Sequence, residues 1–145
     1  MPLPVTDDDH YSYSDANINA LSSQLGIRWE PSKTILWSFC VPYLGFLWNL
    51  ENCTVSLPER IKQKYLAAIM QWELVSAHPL LEVQKLHGKL LHATLVAPEG
   101  RAYLTNLEAM LASFNNRPLV PHTPPRDTKC DLKWWKQLFH SPTVI

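Results

Sequence analysis

Apolar positions recur along most of this chain at the spacing of helices, and in its middle at the alternation of strands. Residues 15–25 place Ile18, Leu21 and Leu25 on one face, with Ser14 or Asp15 able to cap the start and Gly26 to stop it, which predicts a short helix. Residues 27–39 read as strand–turn–strand, with Glu30-Pro31-Ser32 as the turn. Residues 43–48 (Tyr43-Leu44-Gly45-Phe46-Leu47-Trp48) have the aromatic, apolar makeup of one strand, and Gly45 inside it allows a close backbone approach. Asn49-Leu50-Glu51-Asn52 supplies turn chemistry, and Thr54-Val55-Ser56-Leu57 alternates as a half-buried return strand.

Helical spacing then takes over. Ser56 and Glu59 stand at capping-box distance, with Pro58 in the first turn, ahead of a helix over 59–75. Its apolar face is Ile61, Tyr65, Ala68, Ile69 and Trp72, and its polar side carries Arg60, Lys62, Gln63 and Lys64. Ser76-Ala77-His78-Pro79 breaks the chain, and a second helix follows over 80–97 with Val83, Leu86, Leu90, Ala93 and Ala97 as its core stripe. A third helix starts at Pro98-Glu99-Gly100, carries Tyr103, Leu104, Leu107, Met110, Leu111 and Phe114, and ends at Asn115-Asn116-Arg117-Pro118. Four prolines between 117 and 127 predict a stiff extended linker. Thr128 and Asp131 form another capping-box spacing, and Leu132, Trp135, Leu138 and Phe139 give the last helix one face, with Trp134 beside it. So short a helix is marginal alone and must dock on the bundle or on a partner. The sum is an α+β chain: a mobile leader over 1–14, a β-rich element over 15–57, a three-helix bundle over 58–116, a linker over 117–127 and an appended helix over 128–145.

Composition narrows the functional classes. In 145 residues, 46% hydrophobic, there is room for one domain or two small ones. Thirteen basic residues balance thirteen acidic ones, so strong binding through broad phosphate neutralisation is not expected, and any nucleic-acid contact must be local. Cys40, Cys53 and Cys130 have no metal-ligand spacing and read as reduced thiols of an intracellular chain, cytoplasmic or nuclear. The amino terminus lacks a secretory pattern, and no apolar stretch of about 18 residues predicts a membrane span.

Most enzymatic chemistry finds no footing. There is no glycine-rich phosphate loop and no nucleophile elbow. His87 and His92 are five apart and do not share a helical face for zinc, so neither a metal nor another cofactor is implied. Asp7-Asp8-Asp9 reads as a solvated acidic run rather than a magnesium site. One pattern stands out. Gln84, Gly88 and His92 recur at four-residue intervals along the second helix of the bundle, with Lys85 and Lys89 beside them. A glycine inside a helix costs roughly 1 kcal/mol against alanine. Either a neighbouring helix crosses at Gly88 or a ligand backbone lies against it.

The order of these motifs resembles the end of the palm and the thumb of reverse transcriptases from retroviruses and long-terminal-repeat retroelements, fungal ones most closely. The residues carrying the resemblance are Tyr43-Leu44-Gly45-Phe46, then Thr54-Val55-Ser56-Leu57-Pro58, then Val83-Gln84-Lys85-Leu86-His87-Gly88-Lys89-Leu90, within a region of about 25–111. The resemblance implies that 15–57 is a palm remnant with a primer-grip-like hairpin and 58–116 a thumb-like bundle. It implies that Leu44 and Gly45 hold a primer's terminal phosphate and that Lys33 lies near an incoming nucleotide's phosphates. It places Gln84, Gly88 and His92 in the minor groove of a template–primer duplex, although His92 stands where retroviruses have tryptophan. The family's paired catalytic aspartates after an aromatic residue are absent, as are the fingers, so the expectation is a catalytically inactive piece with no small-molecule substrate. Two functions remain: weak contact with an RNA–DNA or DNA duplex, or a protein-interaction module, dimeric or binding another protein, that reuses the same surface. Surface clustering of Trp37, Trp48, Trp134 and Trp135 would favour the protein partner.

Overall fold

The computed structural model describes residues 15–33, 35 and 38–141. The leader with its acidic run, Ser14, Trp37 and the last four residues lie outside the described set. The chain divides into two compact units, 1–38 and 39–145.

In the first unit, α1 (Asp15–Gln24) ends in a glycine-closed cap. Gly26 takes the left-handed region at φ +70, its N–H donates to Ser23 O at 3.2 Å, and the Ile27 N–H donates to Ser22 O at 2.9 Å. The strands expected over 27–39 are not formed among the described residues. Pro31–Lys33 instead makes one 3-10 turn, closed by Lys33 N–H to Glu30 O at 2.9 Å and by Ser32 Oγ donating to the Glu30 carboxylate. Pro31 lacks the ladder donor that a strand would use.

The second unit opens with an antiparallel meander: β1 (Cys40–Tyr43), β2 (Phe46–Asn49) and β3 (Thr54–Ser56). The run 43–48 is therefore not one strand. It folds back at Leu44-Gly45, with Tyr43 opposite Phe46 and Cys40 opposite Asn49. Both turn residues have positive φ, 52 at Leu44 and 83 at Gly45, the two-residue turn whose twist matches the flanking strands. Gly45 sits at the hairpin tip rather than in a strand. The second turn is fastened by Asn49 Oδ1, which accepts the Asn52 N–H at 3.0 Å.

Four helices follow: α2 (Glu59–Glu73), α3 (Leu80–Ala93), α4 (Thr105–Ser113) and α5 (Thr128–His140). Neither capping box forms. Pro58 and Asp127 occupy the cap positions without side-chain cap bonds. Glu59 instead accepts from Gln63 Nε2 at 2.7 Å, and Asp131 accepts from Asn106 Nδ2 at 2.8 Å. Lys62 is buried, not on the polar side, with its ammonium 3.8 Å from Glu59. The third predicted helix is interrupted: Pro98–Tyr103 is a 3-10 segment, and α4 starts only after Leu104. The cause is tertiary. A Cβ at Gly100 would stand 2.6 Å from Trp135 Cζ2 and closer still to Cη2, so the backbone runs directly across the indole. The Trp135 indole N–H donates to Tyr103 O at 3.2 Å.

The core gathers Leu57, Ile69, Val83, Leu90, Leu107, Leu132 and Trp135, all essentially excluded from solvent. The α5 helix docks on α2, α4 and the 3-10 segment. The proline-rich stretch is tied down by an antiparallel bridge between His78 and His122, both N–H···O distances 2.9 Å, and by His122 stacking on Phe114. The architecture is α+β, a three-stranded antiparallel sheet with five α-helices among the described residues. Among them, no helix is long and apolar enough to cross a membrane.

Candidate nucleic-acid interface

His92 joins the hairpin tip to the helices. Its ring stacks on Phe46, centroids 4.2 Å apart and planes 15° apart, and meets Tyr65 edge-on. Tyr65 is buried, which pushes its phenol pKa up, so the hydroxyl stays protonated and donates to His92 Nδ1 at 2.9 Å. The Nε2–H of that tautomer donates to Leu44 O at 3.0 Å. Leu44 is a branched residue held at positive φ, a conformation costing roughly 1–2 kcal/mol that persists only where its surroundings enforce it. The His92 bond and the Tyr43–Phe46 pairing supply that enforcement. Gly45 is needed twice over. Its φ favours glycine, and a Cβ there would come within 3.1 Å of His92 Cε1 and Nε2.

The structure thus brings Leu44, Gly45 and His92 together across 48 positions of sequence. Gln84 and Gly88 continue the line along the exposed side of α3. No helix crosses at Gly88: an added Cβ would find nothing within 4 Å. The helix-crossing explanation of this glycine is therefore excluded, and its α3 face is open. His92 differs from Gln84 and Gly88 because both its ring nitrogens are engaged within the protein, so it acts on this surface through the turn it holds. Lys85 and Lys89 flank the row on the side facing α2, beside a shallow groove of about 220 Å³ that also touches Trp72 and Glu82. Deep in that groove His78 stacks on Trp72 at 3.5 Å and pairs with Glu82 at 2.9 Å. Lys33 belongs to the first unit, where it is exposed at the end of its 3-10 turn.

The same side of the second unit is not purely polar. Leu81, Leu91 and Leu95 are 58%, 42% and 66% exposed, and Tyr43 and Leu44 are 61% and 70% exposed. Trp48, Trp134 and Trp135 do not form a surface cluster. Trp135 is fully buried, Trp134 is half-buried and stacked on Tyr103, and Trp48 is 37% exposed. No group of three or more histidine, cysteine or acidic side chains is placed to hold a metal among the described residues.

Sequence reasoning saw Phe46 and Tyr65 only as members of apolar runs and missed their joint hold on His92. Only the four-residue spacing from Gln84 to His92 hinted at a line, and spacing carries no information on contacts between distant segments. No protein-family model, no curated protein and no solved structure matches this chain.

Proposed function

We propose that this chain is a non-catalytic module derived from a retroelement reverse transcriptase, and that it holds a nucleic-acid duplex weakly along one edge. The observation carrying this reading is the His92–Leu44 bond, which ties the hairpin tip to α3. Gln84 to His92 spans about 12 Å along the helix, three to four base-pair steps at roughly 3.4 Å each. Along that line Gly88 lets a sugar–phosphate backbone approach the helix, and the Gln84 amide can bond base-edge acceptors or 2′-hydroxyls in the minor groove. Lys85 and Lys89 contact phosphates. Leu44 and Gly45 present the hairpin tip to one more phosphate, as the resemblance implies. With zero formal net charge and few cations on this edge, binding is weak, salt-sensitive and indifferent to sequence. On this reading the module does not polymerise, because the aromatic-x-Asp-Asp signature of the resembled enzymes is absent from the sequence.

The exposed leucines around Gly88 favour a second reading, in which the same edge covers a protein partner or a second copy of the chain. Fluorescence anisotropy with labelled RNA–DNA hybrid, DNA duplex and single strand at low salt separates the two. The duplex reading expects hybrid and duplex to bind more tightly than single strand. No binding to any of them, together with dimers in sedimentation equilibrium, would replace it with the interaction reading.

A further inference from the structure

The sheet of the second unit has one face that the helices leave almost uncovered. In an antiparallel pair, opposite residues share a face and neighbours along a strand alternate. The pairings Tyr43–Phe46, Val41–Trp48 and Trp48–Val55 therefore put all five of these side chains on one face. The Leu50 N–H donates to Phe39 O at 2.7 Å, which extends the same face to Phe39 and Leu50. Asn49, Thr54 and Ser56 belong to the opposite face. A sheet with one apolar and one polar face normally buries the apolar one. Here the strands pack chiefly on one another, and of the apolar face only Phe46 is buried, against His92. Phe39 and Leu50 are 68% and 59% exposed. Trp48 stands in the middle, flanked by Val41 and Val55, and its one polar atom is already paired, the indole N–H donating to Tyr43 O at 3.2 Å. The surface it presents outward is apolar.

Charge and area identify what covers this face. It carries no acidic or basic side chain, so a second copy turned onto it about a two-fold axis opposes no like charges. A single-stranded nucleic acid would find rings for its bases but no cation on this face for its phosphates. The uncovered side-chain surface is on the order of 600 Å² per copy, so a face-to-face pair removes about 1,200 Å² in total, the lower end of the range for specific interfaces. We infer that the chain self-associates through this face. Three strands from each copy pack as a two-layer sandwich, the sheets about 10 Å apart and the two Trp48 rows at its centre. The contact includes neither Gln84 nor Gly88, and duplex binding along α3 is independent of it.

Sedimentation equilibrium of the full chain from about 1 to 200 µM should show monomer and dimer with a Kd of about 1–100 µM. Raising salt to about 1 M should not weaken the dimer, because no ion pair is there to be screened. Amide shifts on dilution should gather at 39–50 and 54–55 and spare Gln84 and Gly88. The double variant Phe39→Glu, Leu50→Glu changes two exposed positions just outside β1 and β2 and sets like charges against each other. It should weaken association about tenfold or more with an unchanged circular dichroism spectrum at low concentration, whereas Thr54→Glu on the opposite face should not weaken it. If the double variant fails to fold, the dilution shifts of the wild type decide. The inference is overturned by a monomer throughout the concentration range, by dilution shifts centred on Gln84 and Gly88, or by unchanged association in a folded double variant. Saturable shifts at 39–50 with a single-stranded oligothymidylate would also overturn it and make the face a base-stacking platform instead.

Discussion

Replacing Gly88 separates what this residue does for the fold from what it does for a ligand. Gly88 is in the middle of α3, and an added Cβ meets nothing within 4 Å. Alanine there removes the glycine penalty without a clash, so the fold should gain about 1 kcal/mol. For a unit of this size the unfolding entropy is roughly 0.2 kcal/mol/K, so Tm should rise by about 4 °C. Leucine, also a good helix former, should gain nearly as much, because its bulk projects into open space. Binding should move the other way. If a duplex backbone lies against Gly88, leucine obstructs it, and affinity for RNA–DNA hybrid should fall by about tenfold or more while stability rises. Thermal melts by circular dichroism and anisotropy titrations on wild type, Gly88→Ala and Gly88→Leu read both quantities. A Tm several degrees lower for Gly88→Leu would refute the open-face geometry. A raised Tm with unchanged hybrid affinity would refute the placement of the duplex.

Other residues give sharper structural tests. Gly100→Ala drives a methyl into the Trp135 indole and should cost roughly 1–3 kcal/mol, so two glycine-to-alanine changes in one bundle shift Tm in opposite directions. His92→Ala removes the bonds to Leu44 O and Tyr65 and the stack on Phe46, about 2–3 kcal/mol together, and hydrogen exchange should speed most at 43–46. Equal exchange there in wild type and variant would show that the turn holds itself. Because burial raises the Tyr65 pKa, the folded state keeps the phenol neutral where the unfolded chain ionises. Stability should therefore be full below about pH 10 and fall as pH rises from there towards the folded-state value. Tyr65→Phe should remove that part of the alkaline loss, and an identical alkaline profile in the variant would count against it.

Amphipathic spacing made α2, α3 and α5 readable, since each buries a stripe that recurs every three to four residues. It failed where a tertiary partner decided the outcome. The turn at Leu44-Gly45 is hidden in an aromatic run because leucine is a poor signal for a left-handed residue, and the bond that helps hold it comes from His92, far along the chain. The break before α4 arises from Gly100 lying across Trp135, which no local pattern encodes. The capping boxes failed because Pro58 and Asp127 took the cap positions. Of the candidate edge, the Gln84–Gly88 line is visible as periodicity, whereas its continuation into the hairpin tip is visible only in three dimensions.

The most direct test of the duplex reading is the salt dependence of hybrid binding for wild type and the double variant Lys85→Ala, Lys89→Ala. Each phosphate contact contributes about 0.9 to the slope of log affinity against log salt on B-form DNA. Losing both lysines should lower the magnitude of that slope by roughly two and leave Tm unchanged. No wild-type binding at low salt, or an unchanged slope in the double variant, would contradict it.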